Sequence, residues 1–202
     1  MTTSIELKKQ EFELSQRQAT ALSSSNIVPT AFQNNPGNCL IALEMAERMN
    51  LSPMLVMQNL DIIHGKPSFS SKFLIARVNN CGLFSPLRFK FEGTPNTPHW
   101  GCRAVSTDLK TGEEITGPLV TLQMAKSEGW YDKKGSKWQT MPELMLQYRA
   151  GAFFARLYAP ETTMGLMTSE EMRDIEAQKK PSLNEVFQNP PQSDVVDISE
   201  MQ

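Results

Sequence analysis

Three lysines, Lys133, Lys134 and Lys137, fall within five residues of the stretch WYDKKGSKW, flanked by Trp130, Tyr131 and Trp138. A phosphate backbone needs point charges, and unpaired bases need flat surfaces, each stacked base being worth ~1–3 kcal/mol. The mixture suits a single-stranded nucleic acid. The alternative on composition alone is a solvated turn with its tryptophans packed inward. Immediately downstream, the run LMLQYRAGAFFARLYA carries two charges, Arg149 and Arg156, and no acid. On a helix Arg149 meets Met145, Leu146, Ala152 and Phe153 at its i±3 and i±4 positions, and Arg156 meets Ala152, Phe153, Ala159 and Pro160. Neither finds a carboxylate there. Seven residues apart, they project from one face about 20° out of register with about 10 Å of rise, a spacing comparable to phosphates along a strand. Either they meet phosphate, or each pairs with an acid from elsewhere or snorkels to water.

Other chemistries are poorly served. There is no GxxxxGK[ST] phosphate loop, so nothing points to ATP hydrolysis. No GxSxG elbow appears, and neither His64 nor His99 stands beside a plausible nucleophile and orienting acid. The nearest approach to a metal nuclease is Asp108 with Glu113 and Glu114, but KTGE there reads as a hairpin turn. The three cysteines, Cys39, Cys81 and Cys102, have no zinc-ligand spacing and read as reduced thiols in a core. The expectation is a protein that is not an enzyme and that uses no cofactor and no metal.

Net charge is −2, but its distribution is uneven. Residues 60–156 hold thirteen Lys/Arg against eight Asp/Glu, whereas the last 22 residues hold four acids and no base. A basic centre with an acidic tail is the asymmetry expected where the middle touches an anion. No apolar run approaches the ~18 residues of a membrane span, and MTTSIELKKQEFEL lacks a signal peptide's apolar stretch. A cytoplasmic protein with no membrane partner is expected.

These residues need elements to position them. Residues 1–35, rich in Gln, Ser and Asn, read as a flexible arm with at most a helical turn or two. Asn38 is placed to cap a helix over CLIALEMAERMN, and Ser52-Pro53 opens a second over PMLVMQNL. DIIHGKPSF reads as a strand followed by a Gly-Pro turn, and Ser70 or Ser71 caps a third helix ending at Gly82. The period then changes to two. LRFKFEG alternates apolar and charged residues, and WGCRAVSTDL and EITGPLVTL are further strands joined by KTGE. Residues 141–158 make a helix of about 27 Å that Pro160 ends, and Thr168 or Ser169 caps a short acidic helix, EEMRDIEAQ. The fold class is α+β: a small antiparallel sheet of three to four strands with flanking helices. The domain reading is an arm at 1–35, a core at 36–178 and a disordered acidic tail at 179–202.

The run MPELMLQYRAGAFFARLYAP followed by SEEMRDI resembles the RecT/Redβ family of phage single-strand annealing proteins. Upstream, NLSPMLVMQNLDII, GKPSFSSKFLIARVN and ITGPLVTLQMAKSEGWY are similar to further family segments, so the resemblance covers residues 38 to 177. It implies a β-β-β-α core that assembles into rings or helical filaments. Such an assembly holds one DNA strand in a basic groove and admits the complement without ATP. Arg149 matches a basic position of the family's helix, and Arg156 matches the arginine of its A-R-L motif. Glu143 and Gln147 stand where the family is often basic, which shifts phosphate contact toward Lys133, Lys134 and Lys137.

The candidate DNA-binding set is Lys72, Arg77, Arg103, Lys126, Lys133, Lys134, Lys137, Arg149 and Arg156. Trp130, Tyr131, Trp138 and Tyr148 are the candidate base-stacking residues. Expected partners are single-stranded DNA, the annealed duplex intermediate and further copies of the chain. A phage exonuclease or a host single-strand-binding protein in the bacterial cytoplasm is implied by the resemblance. Two other readings use the same charges: a single-strand binder that does not anneal, and an adaptor whose basic strip meets an acidic protein.

Overall fold

The structure is a computed structural model and describes residues 4–178. It opens with helix α1 (Ser4–Ser23), which packs against α2 (Pro36–Met49). Where a turn or two of helix was expected, twenty residues are helical. Glu, Lys, Leu and Gln are strong helix formers, and Glu13 lies 3.9 Å from both Lys9 and Arg17 at i,i+4 spacing. Beyond the helix, Val28 and Phe32 are fully buried, which ties this end of the chain into the core. Asn35, not Asn38, caps α2: its Oδ1 accepts the Asn38 N–H at 3.0 Å, and Pro36 takes the first helical position, where no N–H is needed.

After α3 (Pro53–Asn59), strands β1 (Leu60–Ile63) and β2 (Lys66–Phe69) form a hairpin around His64 and Gly65, both at positive φ (49° and 72°). Pro67, expected in a turn, lies instead in β2 opposite Ile62. A two-stranded ribbon has only edge strands, the place where a sheet accepts proline. Ser70 caps α4 (Ser71–Asn80), accepting the Phe73 N–H at 3.3 Å.

The main sheet is antiparallel, as expected. β3 (Arg88–Glu92) pairs with β4 (Gly101–Thr107), whose other edge takes β5 (Glu114–Thr116) and β6 (Val120–Thr121). The single strand read over EITGPLVTL is thus two, separated at Gly117, whose N–H still reaches the Ala104 carbonyl at 2.8 Å. A Cβ there would stand 3.0 Å from that oxygen, so glycine permits the approach. The alternation of LRFKFEG holds at Leu87 and Phe89, whereas Phe91 reaches the surface and stacks on Trp100 at 5.8 Å.

The rest is helical: α5 (Leu122–Ser127), α6 (Lys137–Thr140), α7 (Pro142–Tyr158), α8 (Pro160–Thr163) and α9 (Ser169–Gln178). Helix α7 runs through the core between α4 and β4. Its sequence AGAFFA puts small residues where neighbours approach; a Cβ on Gly151 would fall 2.6 Å from Ile75 of α4. Leu146, Ala150, Phe154 and Ala155 are fully buried, so a polar residue on most of this helix must find its partner inside the fold. The architecture is α+β, a small antiparallel sheet flanked by helices. The expected acidic tail at 179–202 lies outside the described residues.

Candidate nucleic-acid interface

The loop at 130–138 is closed by its own backbone. The Ser136 hydroxyl donates to the Trp130 carbonyl at 2.6 Å, the Ser136 N–H to the Lys133 carbonyl at 2.9 Å, and the Gln139 amide to the Tyr131 carbonyl at 2.8 Å. Gly135, at φ 73°, makes the reversal. The closure turns Trp130 and Trp138 inward, ring centroids 5.6 Å apart, with 8% and 5% of their surface exposed. This corrects the expectation for both: buried indoles offer no face to a base. Tyr131 is half-buried beneath the Lys126 ammonium, 5.0 Å from its ring centre. Tyr148 is half-buried as well and lines a surface cleft.

The arginines of α7 meet their negative charge on α9. Asp174 takes Lys133 at 2.6 Å and, through its other oxygen, the Arg149 guanidinium. Arg149 also lies 3.3 Å from Glu171, which accepts a hydrogen bond from Arg156. The result is a ladder of alternating charge, Lys133, Asp174, Arg149, Glu171, Arg156. In its middle Arg149 is 5% exposed, its guanidinium 3.9 Å above the Trp130 ring. The expectation that Arg149 faces phosphate is therefore corrected: it is a buried cation satisfied by two carboxylates and an indole. Arg156 shares Glu171 but keeps 38% of its side chain exposed.

Glu171 is held from a second direction. Its Oε2 accepts the Thr168 N–H at 3.0 Å while its own N–H donates to the Thr168 hydroxyl at 3.1 Å, a reciprocal cap on the start of α9. Burial by itself would raise the Glu171 carboxyl. The Arg156 hydrogen bond, the Thr168 N–H and the charges of Arg156 and Arg149 outweigh that and hold it below the usual carboxylate range.

Beside the ladder, two adjoining hollows form one basic cleft. Lys72 enters from the first turn of α4, Lys133 and Lys134 from the loop, Lys137 from α6 and Tyr148 from α7. Lys72, Lys134 and Lys137 are exposed. The structure therefore gathers Lys72, Lys133, Lys134, Lys137 and Tyr148 of the expected set, with the largely buried Arg149, Trp130 and Trp138 in the wall behind them. Arg173 of α9 joins them, bridged to Asp61 at 3.1 Å. The sequence reading missed Arg173; its only signal was a lone base on an acidic helix. Glu170 also lines the cleft, accepting the Ser71 N–H and hydroxyl at 3.2 and 3.0 Å.

Three expected residues lie elsewhere. Arg103 bonds Glu92 at 2.7 Å and the Gly117 carbonyl at 3.1 Å across the sheet. Arg77 reaches the Met49 carbonyl at the end of α2 at 3.5 Å, and its Nε is buried without a hydrogen-bond partner among the described residues. Lys126 sits on Tyr131, outside the cleft.

The model of the RecT family matches residues 107–183. Over that segment, less than half of the chain, the sequence is similar to the RecT family. The match begins at the end of β4 and runs through the loop, α7 and α9, so it holds all five members of the ladder and each cleft cation except Lys72. It is narrower than the resemblance read over 38 to 177 and falls on its most informative part. No curated protein and no solved structure matches the chain.

Proposed function

We propose that this RecT-like protein binds single-stranded DNA along the basic cleft and anneals complementary strands without a nucleotide cofactor. The observation that carries the reading is the convergence of Lys72, Lys134 and Lys137, all exposed, around Tyr148 within and beside the RecT segment. Annealing breaks no bond in the protein. It needs two strands held with bases outward and their mutual repulsion screened, which ammonium groups on phosphate supply without reading sequence. Tyr148 is the aromatic face that remains available to a base once Trp130 and Trp138 are buried.

Rings or helical filaments of the chain, extending the cleft from copy to copy, complete the reading. An exonuclease or host single-strand-binding protein would be the protein partner, in the bacterial cytoplasm during phage-type recombination. Fluorescently paired complementary oligonucleotides, mixed with and without protein in the absence of ATP, test it. Faster duplex formation is expected. Unchanged duplex formation with tight strand binding would leave only a single-strand binder, and slower formation would mean that the protein shields bases instead of presenting them.

A further inference from the structure

The two arginines of α7 share Glu171, yet their surroundings assign them different duties. Arg149 is enclosed: two carboxylates and the Trp130 ring occupy its edges and face. Arg156 uses one nitrogen on Glu171, its guanidinium carbon lies 5.5 Å from the Phe153 ring centre, and among the described residues it makes no other hydrogen bond. A guanidinium offers five N–H donors in a rigid fork, so several on Arg156 stay available to an anion.

Glu171 cannot follow Arg156 outward. Its second oxygen is fixed on the Thr168 N–H at 3.0 Å, and its side chain is 7% exposed against 38% for Arg156. Arg156 is thus gripped from behind by a buried carboxylate and open in front.

We infer that Glu171 is a positioning residue for Arg156, already a candidate phosphate contact, and holds its unused donors ready for the strand, with Arg149 serving as an internal strut. The inference rests on the strand-binding reading. It inverts an ordinary electrostatic expectation, because removing a carboxylate beside a polyanion site normally strengthens binding. Here it weakens binding, since an untethered arginine must be ordered anew by each strand.

The test measures strand affinity and salt dependence of the full chain as wild type, E171Q, R156A, R156K and E171Q/R156A, with melting curves on each. E171Q should lose about tenfold in affinity per folded molecule, the scale of one charge-assisted hydrogen bond. In the R156A background the same change should cost nothing further. R156K keeps the charge without the fork and should lie closer to R156A than to wild type. Tighter binding by E171Q, or an equal loss in both backgrounds, would overturn the inference. If E171Q does not fold, R156K decides alone: wild-type affinity overturns the positioning role. Wild-type protein that binds no strand takes the functional reading down with it, whereas normal binding by R156A removes only the role of Arg156.

Discussion

Asp174 holds Lys133 with one carboxylate oxygen and Arg149 with the other, so a loop lysine and a core arginine are joined through a helix twenty-five residues beyond that arginine. The acids of α9 therefore answer the charge question posed by α7. Glu170, Glu171 and Asp174 all engage groups outside their own helix. A ten-residue helix is marginal in isolation, and α9 owes its place to these contacts and to the bridge between Arg173 and Asp61.

Arg149→Ala should destabilise the fold by roughly 3–5 kcal/mol, because it strands two carboxylates and uncovers Trp130. Chemical denaturation measures it. Strand affinity per folded molecule should stay near wild type, and a variant with unchanged stability but lost affinity would return Arg149 to the DNA site.

Lys134→Ala and Lys137→Ala should do the opposite. Both side chains are exposed, so stability should move by less than ~0.5 kcal/mol. Each should flatten the log–log salt dependence of single-strand binding by roughly 0.7, equally for unrelated sequences. Titrations at several salt concentrations decide, and an unchanged slope would exclude the residue from the path of the strand.

Acid should loosen the ladder. Glu171 has a carboxyl held lower in the folded chain than in the unfolded one. Its contribution to stability is therefore complete above the ordinary glutamate range and is lost as pH falls through the folded value. Melting temperature measured from neutral to acid pH should decline less steeply in E171Q than in wild type; parallel curves would mean that other carboxylates govern the acid limb.

The thiols should differ in reactivity. Cys39 and Cys102 are buried, and burial, helped by Glu143 and Glu92, pushes the Cys102 thiol up to about 12. Cys81 is partly exposed. A maleimide on the folded protein should label Cys81 first, with the other two following only on unfolding; mapping the labelled peptides checks the order.

Local chemistry was what the sequence made readable. Ser70 (one of two cap candidates), Pro53 at a helix start, Pro160 just past the end of α7, and the period-two run of β3 against β4 all act on near neighbours, and all stand where they were expected; that Pro160 also opens α8 was not expected. The cluster of cleft lysines was legible for the same reason, since three of its members are consecutive or nearly so. What escaped depends on distant residues. Nothing near Arg149 announces Asp174, and nothing in WYDKKGSKW tells whether an indole points inward until Arg149 is there to cover it. The first helix escaped differently: its Gln and Ser content suggested loose chain, while its Glu, Lys and Leu content and i,i+4 pairs decided the outcome.

The indole beneath Arg149 gives the molecule an optical reporter of its own. Trp130 sits between a guanidinium and a second indole, whereas Trp100, the third tryptophan, stacks on Phe91 at the sheet. Emission from such a ring depends on the charge above it. A strand that rests on Lys134 and Lys137 without moving Asp174 is expected to leave the Arg149 charge in place, while one that draws Asp174 away from Arg149 is expected to shift the emission. Intrinsic tryptophan emission is thus the expected reporter, without any added dye, of the opening of the ladder.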